Sequence, residues 1–301
     1  MSGREEKKIM IISQVIGGLG NQMFQYSAGR ALSIKRGIPF KLDISGFDNY
    51  GLHQGYELHR IFDCPVELAG TSDIREVLGW QSLPFLRSIL SRKNLEKFRQ
   101  NSFIVEPHFH YWQGFEQAPA DCYLVGYWQT EKYFQEVKDV IHNDFAFKAP
   151  LSSLNSEFAE HICRVSAVSI HVRRGDYVSN PKTGATHGLC SLDYYRQAIR
   201  YLSERVEQPV FFVFSDDMDW VKGNLKMTLP CRYVDHNHGT ESYNDMRLMS
   251  MCKHHIIANS SFSWWGAWLN PDPEKIVVAP KRWFANDSDV NDLFPQGWVT
   301  L

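Results

Sequence analysis

The chain has 301 residues, enough for two domains rather than one, and its 44% hydrophobic against 22% charged residues is the balance of an ordinary globular protein. A formal net charge of -2 supplies no field for nucleic acid or an anionic membrane, so nucleic acid is excluded as a partner class and any anion site must be local. No stretch reaches about 18 apolar residues, and the early run IMIISQVI is too short and broken for a signal peptide or a span, so a cytoplasmic protein is expected. The six cysteines form no CxxC pair, which favours reduced, mostly buried thiols over a disulfide framework or a zinc site.

In chain order, a strand over 9–16 leads into the turn Gly17-Gly18-Leu19-Gly20-Asn21, a helix over 22–36 and a second strand over 39–44. This is a βαβ opening. Asp43 lies near the distance of a ribose-binding acid, but Met23 stands at the third glycine position, so the dinucleotide fingerprint fails. What remains is a turn that brings backbone N–H groups and a helix N-terminus toward an anion, or a tight turn that needs positive φ. Residues 86–98, LRSILSRKNLEKF, place apolar side chains at helical spacing with Arg and Lys between. They read as a helix covering a domain, with a membrane-surface role as the alternative. Aromatics crowd 103–133, where packing is the common reason and sugar faces the other. A strand over 123–128 and a helix over 131–142 follow, and the pattern restarts after Pro150, which gives domains 1–150 and 151–301.

The second half predicts a helix over 151–164, a central strand over 165–172, a loop over 180–190 and a helix over 191–203. Strands over 210–214, 232–234, 254–258 and 275–279 alternate with helices over 241–252 and 264–269, as in a doubly wound parallel sheet. The central strand ends in SIHVRRGDYV, residues 169–178. Side chains alternate along a strand, so His171 and Arg173 share one face and Arg174 takes the other until Gly175. Two guanidiniums at a strand mouth suit phosphate oxygens, and the competing reading is arginines paired with nearby carboxylates.

Three further clusters compete. Asn259 to Ser263 puts three serines before a helix, where capping needs one and an anion could use the others. Residues 215–219, SDDMD, hold a D-x-D after a strand, in which Asp217 and Asp219 read either as metal ligands or as acids of a helix's first turn. The second is preferred, because the arginine pair already supplies positive charge. Asp245 could accept the N1 and N2 protons of guanine, or pair within its helix beside Glu241 and Arg247. The histidine pairs lack converging partners and read as structural.

Taken together, GGLGNQMFQYSAGRALS (17–33), HVRRGDY (171–177), VFSDD (213–217), and SYNDMRLMSMCKHHIIANSSFSWWGAWLN (242–270) followed by KIVVAP resemble the α1,2-fucosyltransferases of glycosyltransferase family 11, in the family's order. The resemblance implies an α/β, GT-B-like fold of two Rossmann-like domains facing across a cleft, an N-terminal acceptor-side domain and a C-terminal domain holding GDP-β-L-fucose. It implies inverting, metal-independent transfer with no cofactor, to the 2-hydroxyl of a galactose-terminated oligosaccharide or glycolipid, as in O-antigen or capsule biosynthesis, with at most peripheral membrane association. Position by position, Arg173 matches the diphosphate-binding arginine, Arg174 its neighbour, and His171 the lining of the nucleotide pocket. Asp245 matches the guanine-reading acid, Ser260, Ser261 and Phe262 the phosphate and ribose loop, and Gly18, Gly20 and Asn21 the glycine turn that closes over the donor. The chain departs from animal relatives in lacking their transmembrane anchor, which points to a bacterial-type enzyme, and Ser27 stands where alanine is usual.

For chemistry, Arg173 is expected to stabilise charge on the leaving phosphate, and Asp176, one turn beyond the arginines, is the candidate general base or an orienter of Arg174. The alternatives are a fucosyltransferase of another linkage or acceptor, a metal-dependent glycosyltransferase using Asp217 and Asp219, and a sugar-binding module without catalysis.

Overall fold

The computed structural model describes residues 8–48, 50–51, 53–65, 67–286 and 290–301, without the side chains of Asp176 and Lys182. The chain divides into two compact units, 1–148 with 291–293, and 149–290 with 294–301. Each carries a parallel sheet, and no described helix is long and apolar enough to cross a membrane.

In the first unit the strands are β1 (Ile11–Gln14), β2 (Phe40–Asp43), β3 (Glu67–Leu68), β4 (Phe103–Val105) and β5 (Cys122–Val125), ordered β3-β2-β1-β5-β4. The helices are α1 (Leu19–Arg36), α2 (Leu58–Ile61), α3 (Thr71–Leu78), α4 (Pro84–Leu90) and α5 (Lys138–Asp144). Met10, just before β1, and Ile12, Phe103 and Tyr123 from the strands pack against Ile74, Val77, Leu78 and Leu90 from α3 and α4. On the other face α1 lies so close to β2 that a Cβ on Gly29 would sit 2.4 Å from the Phe40 ring, which requires glycine there. Gly37 ends α1 in the left-handed conformation, φ 65°, and Lys35 and Arg36 complement the dipole of its last turn.

The second unit orders its strands β11-β10-β9-β6-β7-β8: β6 (Ser166–Val172), β7 (Pro209–Ser215), β8 (Cys231–Val234), β9 (His254–Ile256), β10 (Val277–Ala279) and β11 (Val299–Thr300). Its helices are α6 (Ser153–Arg164), α7 (Gly175–Ser179), α8 (Pro181–His187), α9 (Leu192–Ser203), α10 (Met218–Asn224), α11 (Tyr243–Met251) and α12 (Ser261–Trp268). The expected central strand is central, and it is buried on both faces, Val168, Ile170 and Val172 on one and Ser169 and His171 on the other, as a parallel strand must be.

Several expected elements differ. Gly18 is the N-cap of α1, so Gly20 and Asn21 belong to the helix's first turn and not to a five-residue turn. Residues 86–98 are not one helix: α4 stops at Leu90, where the Arg99 side chain donates to the carbonyls of Leu90 and Arg92 at 2.7 Å, and a 3₁₀ stretch Lys93–Phe98 follows. Residues 131–137 form two 3₁₀ turns before α5, and the expected loop over 180–190 contains α8, opened by Pro181 at a position where its fixed φ suits a helix start.

Asp43, at the carboxyl end of β2, is buried and binds Arg87 of α4 and the Tyr123 hydroxyl, while Arg87 also donates to Tyr123 at 2.7 Å and to Ser45 at 3.2 Å. This pair fastens α4 to the sheet, and removing one partner strands a buried charge. Arg87→Leu is expected to destabilise the first unit by about 3 to 5 kcal/mol, read as a lower urea midpoint for that unit's unfolding; an unchanged midpoint would show the pair to be dispensable.

Candidate functional site

Where the strand order of a doubly wound sheet reverses, the loops part and leave a crevice at the carboxyl ends. In the second unit the order reverses between β6 and β9, so the segments after Val172 and Ile256 flank it. These are HVRRGDY and ANSSF, two of the clusters singled out above.

β6 and β7 pair in one register, with Val172 opposite Ser215. The same offset continues past the ladder: Arg173 Nη1 lies 3.0 Å from Asp216 Oδ2, and Arg174 Nε lies 3.1 Å from Asp217 Oδ2, 43 residues on. Both arginines are therefore paired with carboxylates, as the competing reading foresaw, and the pairs tie the end of β6 to the end of β7. The Arg174 amide also donates to Asp216 Oδ1 at 2.8 Å, and its guanidinium stacks 3.7 Å over the Trp220 ring. A Cβ on Gly175 would lie 2.6 Å from Asp216 Oδ2, so glycine is needed for that approach. Gly175 opens α7 rather than an open loop; Asp176 lies in it, and its side chain falls outside the described residues.

Asp217 caps α10 by accepting the Trp220 amide at 3.3 Å, and Asp219 sits exposed in that helix's first turn, the arrangement preferred from sequence. Among the described residues no three His, Cys, Asp or Glu side chains cluster as a metal site would require.

His171 is buried, 5.7 Å ring to ring from Phe262, and its Nδ1 has no partner among the described residues. Burial drives its pKa down to about 4, against the pull of Asp216, so the imidazole is neutral at physiological pH. Ser260 occupies the N-cap position of α12, yet its side chain makes no cap bond. Ser263 ties the turn instead, accepting the Ala258 amide at 3.2 Å and donating to the Ser260 carbonyl at 3.3 Å. Ser260 and Ser261 thus stand at a helix N-terminus without being consumed by capping. Asn259, buried, donates to the carbonyls of His187 and Trp283, and accepts the Tyr177 hydroxyl at its carbonyl, which fixes α7 and α8 against the end of β9.

Asp245 lies in the first turn of α11 and accepts from Asn237 Nδ2 at 2.8 Å. The intrahelical pair considered from sequence does not form: Arg247 donates to the Ala149 carbonyl at 2.7 Å, and Glu241 accepts from Asn244. Desolvation raises the Asp245 carboxyl to about 7. Asn237 is held in turn by Asn155, which also meets His236 Nε2 at 2.8 Å. Sequence reasoning missed Asn155 and Asn237; the available signal was a polar HNH run directly after a strand.

Gly18, Gly20 and Asn21 lie in the first unit, at its own reversal point between β1 and β5. Gly17, at φ 93°, makes the positive-φ turn, and a Cβ there would lie 2.8 Å from Asn21 Nδ2. Asn21 Oδ1 accepts Gln129 Nε2 at 2.7 Å, and Gln22 Nε2 donates to the carbonyls of Gly17 and Gly55. A further group, unrecognised in the sequence, is Glu106 just past β4. Its carboxyl accepts the amides of Tyr127 at 2.7 Å and Trp128 at 3.0 Å, and burial raises it to about 7. It braces a non-glycine residue in a left-handed conformation, Trp128 at φ 54°.

Comparison with known proteins agrees with the motifs. The family model described as Glycosyl transferase family 11 matches residues 84–301. The chain is 37% identical to an alpha-1,2-colitosyltransferase of Escherichia coli, over 97% of this chain and 99% of the relative. It is 34% identical to the O-antigen biosynthesis glycosyltransferase WbnK of Escherichia coli, over 95% and 98%. Among solved structures it is similar to the NodZ alpha-1,6-fucosyltransferase soaked with GDP-fucose, at TM-score 0.54 and 14% identity, over 88% of this chain and 94% of that one. That likeness bears on the fold, which is of the GT-B class with two Rossmann-like units. The family model spans most of the chain and two relatives match nearly its whole length, and on that evidence the protein belongs to glycosyl transferase family 11.

Proposed function

We propose that the chain transfers L-fucose from GDP-β-L-fucose to the 2-hydroxyl of a galactoside, with inversion and without a metal. The observation that carries the proposal is the arginine pair fixed by Asp216 and Asp217 at the end of β6, the strand whose His171 lies 5.7 Å from Phe262 of α12. A nucleoside diphosphate asks for such a place: cations and backbone N–H groups for the phosphates, an apolar ring for the ribose, and an acid for guanine. Arg173, Ser260 and Ser261 would take the diphosphate, with Arg174 supporting; His171 and Phe262 would line the nucleotide, and Asp245 would accept guanine N1–H and N2–H.

In the proposed step the acceptor oxygen bonds to the fucose anomeric carbon while the bond from that carbon to the β-phosphate oxygen breaks. The bonding pair stays on GDP, and the hydroxyl proton passes to Asp176. Arg173 and the backbone N–H groups stabilise the departing phosphate in a preorganised way. Metal-free transfer is supported by the engagement of Asp217 as helix cap and partner of Arg174, bonds it would have to surrender to hold a cation. The likeness to a colitosyltransferase favours one further reading, GDP-colitose as donor, a sugar that lacks the 3-hydroxyl of fucose.

GDP release is expected from purified protein with GDP-fucose and lactose in excess EDTA, with an α1,2-linked product. Release abolished by EDTA would move the site to Asp217 and Asp219, and a much higher kcat/KM with GDP-colitose would reassign the donor. Arg173→Ala should lower kcat by about 10² or more, whereas Asp176→Asn should lower it with GDP affinity retained; near-normal turnover in either removes that residue from the mechanism. Asp245 gives a pH signature. Its carboxyl holds a proton below about pH 7, and guanine donors need the ionised form. GDP binding should therefore expel a proton below that pH, weakening about tenfold per unit of acidification, and become flat above it. Calorimetry in buffers of different ionisation enthalpy reads the proton directly, and Asp245→Asn should abolish the dependence.

A further inference from the structure

Eleven large apolar side chains are exposed among the described residues, and five of them, Trp80, Leu83, Phe85, Ile89 and Phe98, fall within residues 80–98. Trp80 is 66% exposed, Phe85 62% and Phe98 67%, so these are not half-covered core residues. The segment nevertheless is firmly built. Gln81 Nε2 donates to the Phe98 carbonyl at 2.9 Å, tying the backbone after Trp80 to that of Phe98, and Arg99 ties the end of α4 to the 3₁₀ stretch after it. Phe85 and Ile89, four residues apart on α4, share its outer face, while Arg87 and Leu90 point inward to Asp43 and the core. Exposed apolar side chains concentrated in one hydrogen-bonded segment mark an interaction site.

The charge on the patch identifies what it meets. Arg92, Lys93 and Lys97 are exposed around it, and Glu96 is the one acid in residues 80–98, although the whole chain has a net charge of -2. Aromatic and aliphatic side chains rimmed by Lys and Arg suit a lipid interface, where rings sit at headgroup depth and cations meet anionic phosphates. A second copy fits poorly, because a two-fold contact sets a surface against itself and would oppose its own cations. We propose that residues 80–98 form a docking surface for an anionic lipid bilayer, inserted no deeper than the headgroup region. It is independent of the donor reading, since it rests on residues outside the proposed site.

The full chain is mixed at low salt with vesicles of phosphatidylcholine alone, or with roughly a third of phosphatidylglycerol, and sedimented. It should pellet with the anionic vesicles, leave the pellet as salt screens the attraction, and stay in solution with the neutral ones. Pelleting should fall by about fivefold or more in Phe85→Ser with Phe98→Ser, and again in Lys93→Glu with Lys97→Glu. Both variants should keep wild-type GDP release with soluble acceptor, which shows them folded. Absence of pelleting with anionic vesicles, or pelleting indifferent to both variants, overturns the proposal. So does a wild-type dimer in solution that Phe85→Ser with Phe98→Ser converts to monomer, which would make the patch a self-association surface.

Discussion

The register that sets Val172 opposite Ser215 also carries Arg173 to Asp216 and Arg174 to Asp217, one step and two steps past the last ladder pair. A one-residue slip would send every side chain of β6 to the wrong face, so burial of the strand on both sides fixes the position of its charged end. Guanidinium side chains are long and lose much rotamer freedom when ordered. Here the ordering is done on folding, by carboxylates that also cap α10 and bond the Arg174 amide, rather than on meeting a phosphate. The arginine ends are thus ordered before any anion arrives, the property that electrostatic stabilisation of a leaving group requires.

The sequence made β6, the arginine pair and the alternation of strand and helix readable, because a long β-branched run and glycine turns are local signals. The helix α8 was not readable, since Thr183, Gly184 and Thr186 are poor helix formers, and Gly184 packs on the Tyr177 carbonyl while the Thr186 carbonyl accepts the Ala285 amide. Nor was the partner of Asp245: the sequence left it between a guanine contact and a pair within its helix, but packing turned Arg247 toward the Ala149 carbonyl and brought up Asn237. The partners of the arginines stand 43 residues away, and only the sheet register brings them together. The break at Leu90 depended on Arg99 folding back onto carbonyls, a long-range act that helical periodicity does not encode.

The first unit solves a related problem with neutral groups. Its edge is knit by amides, Gln22 on the glycine turn, Gln25 spanning Ile16 and Gly126, and Gln129 on Asn21. The buried Glu106 holds the strained Trp128 backbone, so the turn keeps its shape at the expense of a carboxyl with raised pKa. Among the described residues that edge carries no arginine pair like the one after β6.

The path of the chain near its end also bears on how these proteins diversify. Residues 291–293 return to the first unit, where Asp292 accepts the Tyr111 amide at 3.0 Å and pairs with Lys132, before 294–301 rejoin the second. A recombination event with a single crossover near residue 148 would therefore leave the incoming first half with a foreign aspartate at its edge. In a hybrid made by exchanging halves, the contacts of Asp292 with Tyr111 and Lys132 are kept only if residues 291–293 travel with the first half.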